Sequence, residues 1–270
     1  MDHIGEFFPD SPIWFRWLGR LAAPLFFYAL AVGFQHTRNR KKYLLRLYLA
    51  NVGMVFFNQI MCMLQRKLDY VAYQPKNHNI FTTLFCAGVL ICIWESRKEK
   101  KKFFTYIGIY IFWQAMVMGL AILAEAFDYV WRGNALLQTV LRTNYIFPLL
   151  GGIWDAEGGV FFIVLGIWLY CAVEKKGKLA LHYILFCGAY MFMCQGDILY
   201  RIMSRFSFWG YHKLADVIYF GSSFVGIPLG TSDLSLLTEF YQWMMIGALP
   251  IMLACNGKRG KSLKWLFYAA

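Results

Sequence analysis

Apolar runs alternate with short charged or Gly/Pro-containing breaks along this chain, and seven of them read as helices: 14–35, 44–64, 79–95, 103–125, 158–173, 179–197 and 235–254. Most come near the roughly 20 residues a helix needs to cross the hydrocarbon core of a bilayer. The pattern predicts an all-α fold, a polytopic integral membrane bundle of about seven clear spans. At the start, MDHIG continues an apolar face through Ile4, Phe7 and Phe8; at the end, LFYAA follows the basic turn GKRGKSLKW. Both read as truncated first and last helices around a single transmembrane domain, 1–270. The stretch 198–234 stays open: DVIYFGSSFVGIPLG either dips into the membrane as a re-entrant segment or lies along its interface, since its glycines and Pro228 argue against an ordinary crossing.

Composition supports the membrane assignment, because 59% hydrophobic and only 16% charged residues exceed what a soluble globular domain carries. No room is left for a soluble catalytic domain. The formal charge of +12 points to a lipid bilayer as partner and away from nucleic acid, because the basic residues come in short clusters between apolar runs. These are Arg38/Arg40/Lys41/Lys42/Arg46, Arg97/Lys98/Lys100/Lys101/Lys102, Lys175/Lys176/Lys178 and Lys258/Arg259/Lys261/Lys264. One orientation puts all four on the cytoplasmic face, which leaves the first residues, the loop 65–78 and the stretches 126–157 and 198–234 outside. The seven cysteines lie in or beside apolar runs without a CxxC pair, so neither a disulfide framework nor a metal site is expected. No internal repeat and no cleavable signal peptide is evident.

Ionisable groups near hydrocarbon are costly and usually face a bundle interior or a wet cavity. In IWFRWLGRLAAPLFFYALAVGFQH, Arg16 and Arg20 share a helix face. Arg16 suits interfacial snorkelling, whereas Arg20, a turn deeper, suits an anion or carbonyl partner as well as a structural ion pair. At the far end of that helix, His36 precedes Arg38, Arg40, Lys41 and Lys42, donors that suit loop anchoring or phosphates. In HNIFTTLF, Asn79 reads as a helix N-cap, while Thr82 and Thr83 can bond their own helix. Asn58, Gln59, Gln114, Gln195 and Asp197 add polar atoms that make a ligand site if several face one cavity, and helix–helix hydrogen bonds otherwise. Asp2 and His3 form the only histidine–carboxylate pair near a predicted membrane cavity, and such an imidazole can take a proton from an amine or hydroxyl. The chain carries no GxSxG, HExxH, P-loop or Cys/His nucleophile pattern.

DHIGEFFPD, WLGRLAAPLFFYALAVGFQHTRNRKKYLLRL, NIFTTLF and QWMMIGALPIMLACNGKRGKSLKWLFY resemble the TraX family, known for the F-pilin acetylase of conjugative plasmids. Such proteins look like relatives of the transmembrane acyltransferases, in which a histidine near the outer end of the first helix serves acyl transfer. The resemblance implies acetylation of an extracytoplasmic acceptor, such as a pilin N-terminal amine or an envelope glycan, in the bacterial cytoplasmic (inner) membrane. In that comparison His3 matches the catalytic histidine, Asp2 its neighbour and Arg20 the arginine of GRLAxP. Acetyl-CoA is the implied acyl donor. By their charge, His36, Arg38, Arg40, Lys41, Lys42, Lys258 and Arg259 suit its phosphates. The sequence departs from the family's pattern at both ends, lacking a full hydrophobic helix before DHIG and a Tyr-Pro-x-His stretch after KWLFY. A transporter, or a non-catalytic membrane partner of conjugation or envelope assembly, is the competing class. Matching broken helices in two halves would favour transport, and the sequence shows no such repeat.

Overall fold

A computed structural model describes residues 12–67, 79–132, 145–154, 156–195, 198–227 and 241–255. Among them every regular element is helical: α1 (Trp14–Gly19), α2 (Ala22–His36), α3 (Arg40–Lys67), α4 (Ile80–Glu95), α5 (Lys100–Arg132), α6 (Gly159–Ala172), α7 (Lys176–Gln195), α8 (Ile198–Phe208), α9 (His212–Val225) and α10 (Ala248–Ala254). A 3₁₀ segment, Tyr241–Gly247, leads into α10, and a single turn, Phe147–Leu149, precedes α6.

Local chemistry sets the boundaries. Pro24 sits in the first turn of α2, where its missing N–H removes no helical bond. Asn39 caps α3 by accepting the Lys42 N–H at its Oδ1, 2.9 Å away. Ser96 ends α4, its hydroxyl and backbone N–H both turned back on the Ile93 carbonyl.

The centre of the bundle is α4 and α6, apolar all round, with α2, α3 and α7 packed about them. Phe27, Phe34, Ile91, Leu165, Leu169, Tyr183 and Phe186 fill the core. Close approach depends on small residues. A side chain at Gly88 would strike Leu44 and Phe34, and one at Gly166 would strike Ala87 and Phe27. The outward surface is the inverse of a soluble protein's: Phe104, Phe112 and Leu123 on α5 are 68%, 72% and 66% exposed.

Among the described residues, four helical runs are long and apolar enough to cross a membrane: Trp17–His36, Ile80–Lys98, Lys100–Ala124 and Lys176–Phe208. This is the architecture of a membrane protein; of the seven spans expected from the sequence, not every one meets that length and hydropathy among the described residues. The run 44–64 is present as α3, which is long enough but interrupted by Arg46, Asn51, Asn58 and Gln59. The run 158–173 yields a fourteen-residue α6, about 21 Å against a core of about 30 Å. The run 235–254 is described from Tyr241, as a 3₁₀ segment and a seven-residue helix. The stretch 198–234 is helical over 198–208 and 212–225, two helices too short to cross.

Candidate functional site

The predicted site residues fall at opposite ends of α2. Arg20 lies in the turn between α1 and α2, partly buried, with its Nε shielded from solvent. Beside it, Leu21 packs against Gly247 of the 3₁₀ segment. His36 closes the same helix sixteen residues on, about 24 Å away along the axis. His3, Asp2, Lys258 and Arg259 lie outside the described residues.

At the His36 end, several helix termini converge. Arg40, at the start of α3, pairs with Glu95, at the end of α4, through Nη2–Oε1 at 2.9 Å and Nε–Oε2 at 3.3 Å. Its Nη1 donates to the Thr37 carbonyl at 2.8 Å, and the guanidinium lies over the Phe34 ring. Tyr170, near the end of α6, donates its hydroxyl to Glu95 Oε1. Four residues beyond α6, Lys176 Nζ donates to the Leu253 carbonyl at 2.7 Å, which brings the C-terminus of α10 to the same end. His36, Arg38, Lys41 and Lys42 are exposed around this junction, as are Lys98, Lys100, Lys101, Lys102, Lys175 and Lys178. The result is a basic rim with one internal clamp. Of the expected phosphate donors, Arg40 alone is committed to a protein carboxylate among the described residues, while Arg38, Lys41 and Lys42 face outward.

Glu95 and Tyr170 were not singled out in the sequence. The signal for Glu95 was there: a lone carboxylate ending an apolar run, directly before a basic cluster. Tyr170 gave no comparable signal.

A second polar system lies deeper. The stretch before α6 is irregular, with positive φ at Gly151, Gly158 and Gly159. Non-helical backbone within an apolar bundle needs partners for its carbonyls. They come from three helices. On α3, Asn51 Nδ2 donates to Pro148 O at 2.6 Å and the Tyr48 hydroxyl to Leu149 O at 2.8 Å. On α5, Trp113 Nε1 donates to Leu150 O at 2.9 Å and Gln114 Nε2 to Gly151 O at 3.1 Å, while Gln114 Oε1 accepts the Ile153 N–H. On α4, Thr83 Oγ1 donates to Glu157 O at 2.9 Å. Asn79 Nδ2 and Thr82 Oγ1 both donate to Asn51 Oδ1, at 2.7 Å each.

These contacts correct two expectations and decide a third question. Asn79 occupies the N-cap position but turns its side chain to α3 instead of capping. Thr82 and Thr83 bond across the bundle, not to their own helix. Of the polar residues left open between a cavity and hydrogen bonding within the bundle, Gln114 bonds the broken backbone at Gly151 and Ile153. The Gln195 side chain and Asp197 lie outside the described residues.

The family model described as TraX protein matches residues 1–145 of the 270, just over half the chain. The chain belongs to the TraX family. The matched part of this TraX chain contains Arg20, the basic corner at α2 and α3, and Glu95; α6 to α10 lie beyond it. No curated protein and no solved structure matches the chain significantly.

Proposed function

We propose that this protein is a membrane-embedded acetyltransferase that takes its acyl group from acetyl-CoA at the basic rim and delivers it to an acceptor at the opposite end of the bundle. One observation supports this above others: within the family-matched part, α2 separates the partly buried Arg20, in the turn before its N-terminus, from the exposed cations that begin at its last residue, His36, and continue into the start of α3. A polyanionic cosubstrate suits the first end, because Arg38, Lys41 and Lys42 offer charge-assisted donors not spent on the clamp. The rim then faces the cytoplasm, in keeping with the distribution of basic residues.

In the proposed reaction the acceptor's amine nitrogen attacks the thioester carbonyl; a C–N bond forms, the C–S bond breaks, and coenzyme A leaves as its thiol. His3, by the family resemblance, takes the proton from the amine and returns it to the sulfur, with Asp2 as its neighbour. Arg20 stabilises the oxyanion. The acceptor is a pilin-like amine or an envelope glycan, and with a glycan the attacking group is a hydroxyl that loses its proton in the same way.

Transport, the competing class, draws on the broken backbone before α6. Cation transporters use unwound carbonyls as ligands, but here the carbonyls of Pro148, Leu149, Leu150 and Gly151 already accept side-chain hydrogen bonds. The enzyme reading is therefore preferred.

The test is thermal shift of the full chain in detergent with acetyl-CoA, paired with an acetyl-transfer assay. Stabilisation by acetyl-CoA, with transfer abolished in His3→Ala and membrane insertion unchanged, is expected. Unchanged transfer by His3→Ala sinks the catalytic assignment, and absence of any stabilisation sinks the donor.

A further inference from the structure

The hairpin of α8 and α9 carries a surface that acetyl transfer does not use. On α8, Ile198, Leu199, Ile202, Met203 and Phe206 share one face, and Arg201, Ser204, Arg205 and Ser207 the other. The two helices pack together, and α9 buries Ala215 and Ser222. A different stripe of α9 faces outward: Lys213, Val217 and Phe220, spaced i, i+4, i+7, with Val217 64% and Phe220 71% exposed. Gly210, at φ 82°, turns the chain between the helices and leaves Phe208, Trp209 and Tyr211 exposed at the tip, Phe208 at 87%. The base is fixed, because the backbones of Gly158–Gly159 and Val225–Gly226 touch where no side chain would fit. Tyr190 also donates to Gly226 O at 3.3 Å, and Trp154 stacks on Phe224.

Length and charge identify what covers this aromatic surface. The twenty residues of α7 already measure about 30 Å from the basic rim, which is the full thickness of a bilayer core. The hairpin therefore begins where the hydrocarbon ends. Its helices, about 17 Å and 21 Å long, cannot cross back. Three cations, Arg201, Arg205 and Lys213, stand against one carboxylate, Asp216. Exposed aromatic and apolar side chains with neighbouring cations are the composition of segments that lie in the headgroup layer.

We propose that the hairpin Ile198–Val225 lies in the membrane interface at the end of the bundle opposite the basic rim, with the Phe208–Tyr211 tip and the Val217/Phe220 stripe against the glycerol region and the first methylenes of the acyl chains and Arg201, Arg205 and Lys213 on anionic lipid phosphates. The assignment stands independently of the reaction proposed above.

The test uses the full chain in nanodiscs of mixed phosphatidylcholine and phosphatidylglycerol, with Trp209→Phe as reference, so that the difference in emission isolates Trp209. Loss of that emission to lipids brominated near the headgroup, with little loss to lipids brominated at the midplane or to aqueous iodide, is the expected result. Quenching by iodide without quenching by bromine places the tip in water and overturns the proposal. Quenching mainly at the midplane, or protection from all three quenchers, overturns it as well, the last by showing protein cover. The charge arm is hydrogen exchange over 198–225: Arg201→Gln/Arg205→Gln/Lys213→Gln is expected to exchange faster than wild type in these discs and equally in pure phosphatidylcholine. Equal exchange in both lipids overturns the phosphate contact.

Discussion

Arg40 and Glu95 join the first turn of one helix to the last turn of another through a 2.9 Å ion pair, each side chain 30% exposed, and Tyr170 ties a third helix to the same carboxylate. The most fixed cation of the basic rim is thus a structural element, and its exposed neighbours Arg38, Lys41 and Lys42 are left outside the clamp. Two groups of basic residues that sequence treats alike are separated by one carboxylate.

Removing either partner leaves a half-buried charge without its counterpart. Glu95→Ala and Arg40→Ala should each destabilise the bundle, and the double variant should cost less than their sum, with a coupling of about 1–2 kcal/mol. Unfolding midpoints in detergent measure the cycle. A coupling near zero would show that the clamp contributes nothing beyond its separate side chains.

Gly226 tests the joint at the base of the hairpin. Its φ of 84° disfavours any side chain, and an added Cβ would collide with the backbone of Gly158. Gly226→Ala should cost about 2–4 kcal/mol from left-handed strain and overpacking together. Gly221→Ala, five residues earlier with nothing within contact distance of its Cβ, should be neutral or slightly stabilising. Comparable midpoints for the two variants would contradict the packing described.

Gln114 satisfies both a carbonyl and an amide of the irregular segment. Gln114→Leu keeps the volume but leaves Gly151 O and Ile153 N without that partner, at a cost of about 1–3 kcal/mol. Hydrogen exchange should rise over 145–158 before it rises in α4. Uniform exchange across both would show that the segment opens only with the whole bundle.

The helices of this fold were legible in the sequence because apolar runs bounded by charge leave few alternatives in a bilayer. Their lengths were less so. The run 158–173 forms α6 to within a residue at each end, yet at fourteen residues that helix is shorter than a bilayer core, so hydropathy alone overstates it as a span. The stretch 198–225 forms a hairpin with a buried and an exposed apolar stripe, a pattern that hydropathy alone does not separate from a re-entrant segment. Of the candidate site, the basic corner was visible as charge. The arrangement within it depends on Glu95, 55 residues from Arg40 in the chain, and on Tyr170, 75 residues from Glu95, which meet only after folding. Asn51, the hub of the deeper polar system, carried no local signal, since a single amide in an apolar run looks the same whether it faces a ligand or a neighbouring backbone.

The separation of Arg20 from His36 along one helix makes the proposed reaction divisible. Arg20→Gln removes the charge at the acceptor end while leaving the rim intact, so acetyl-CoA should still stabilise the protein and transfer should fall by about 10²–10³-fold, the effect of losing one oxyanion donor. Lys41→Gln/Lys42→Gln should do the reverse. Donor affinity should weaken and lose much of its dependence on salt, because exposed cations bind phosphates through interactions that ions screen. At saturating acetyl-CoA, transfer by this variant should recover towards the wild-type rate, since the reacting end is unchanged. Thermal shift across a salt series and transfer at saturating donor measure the two halves separately. If Arg20→Gln abolished donor binding as well, the two ends would form one site, and the path along α2 would have to be abandoned.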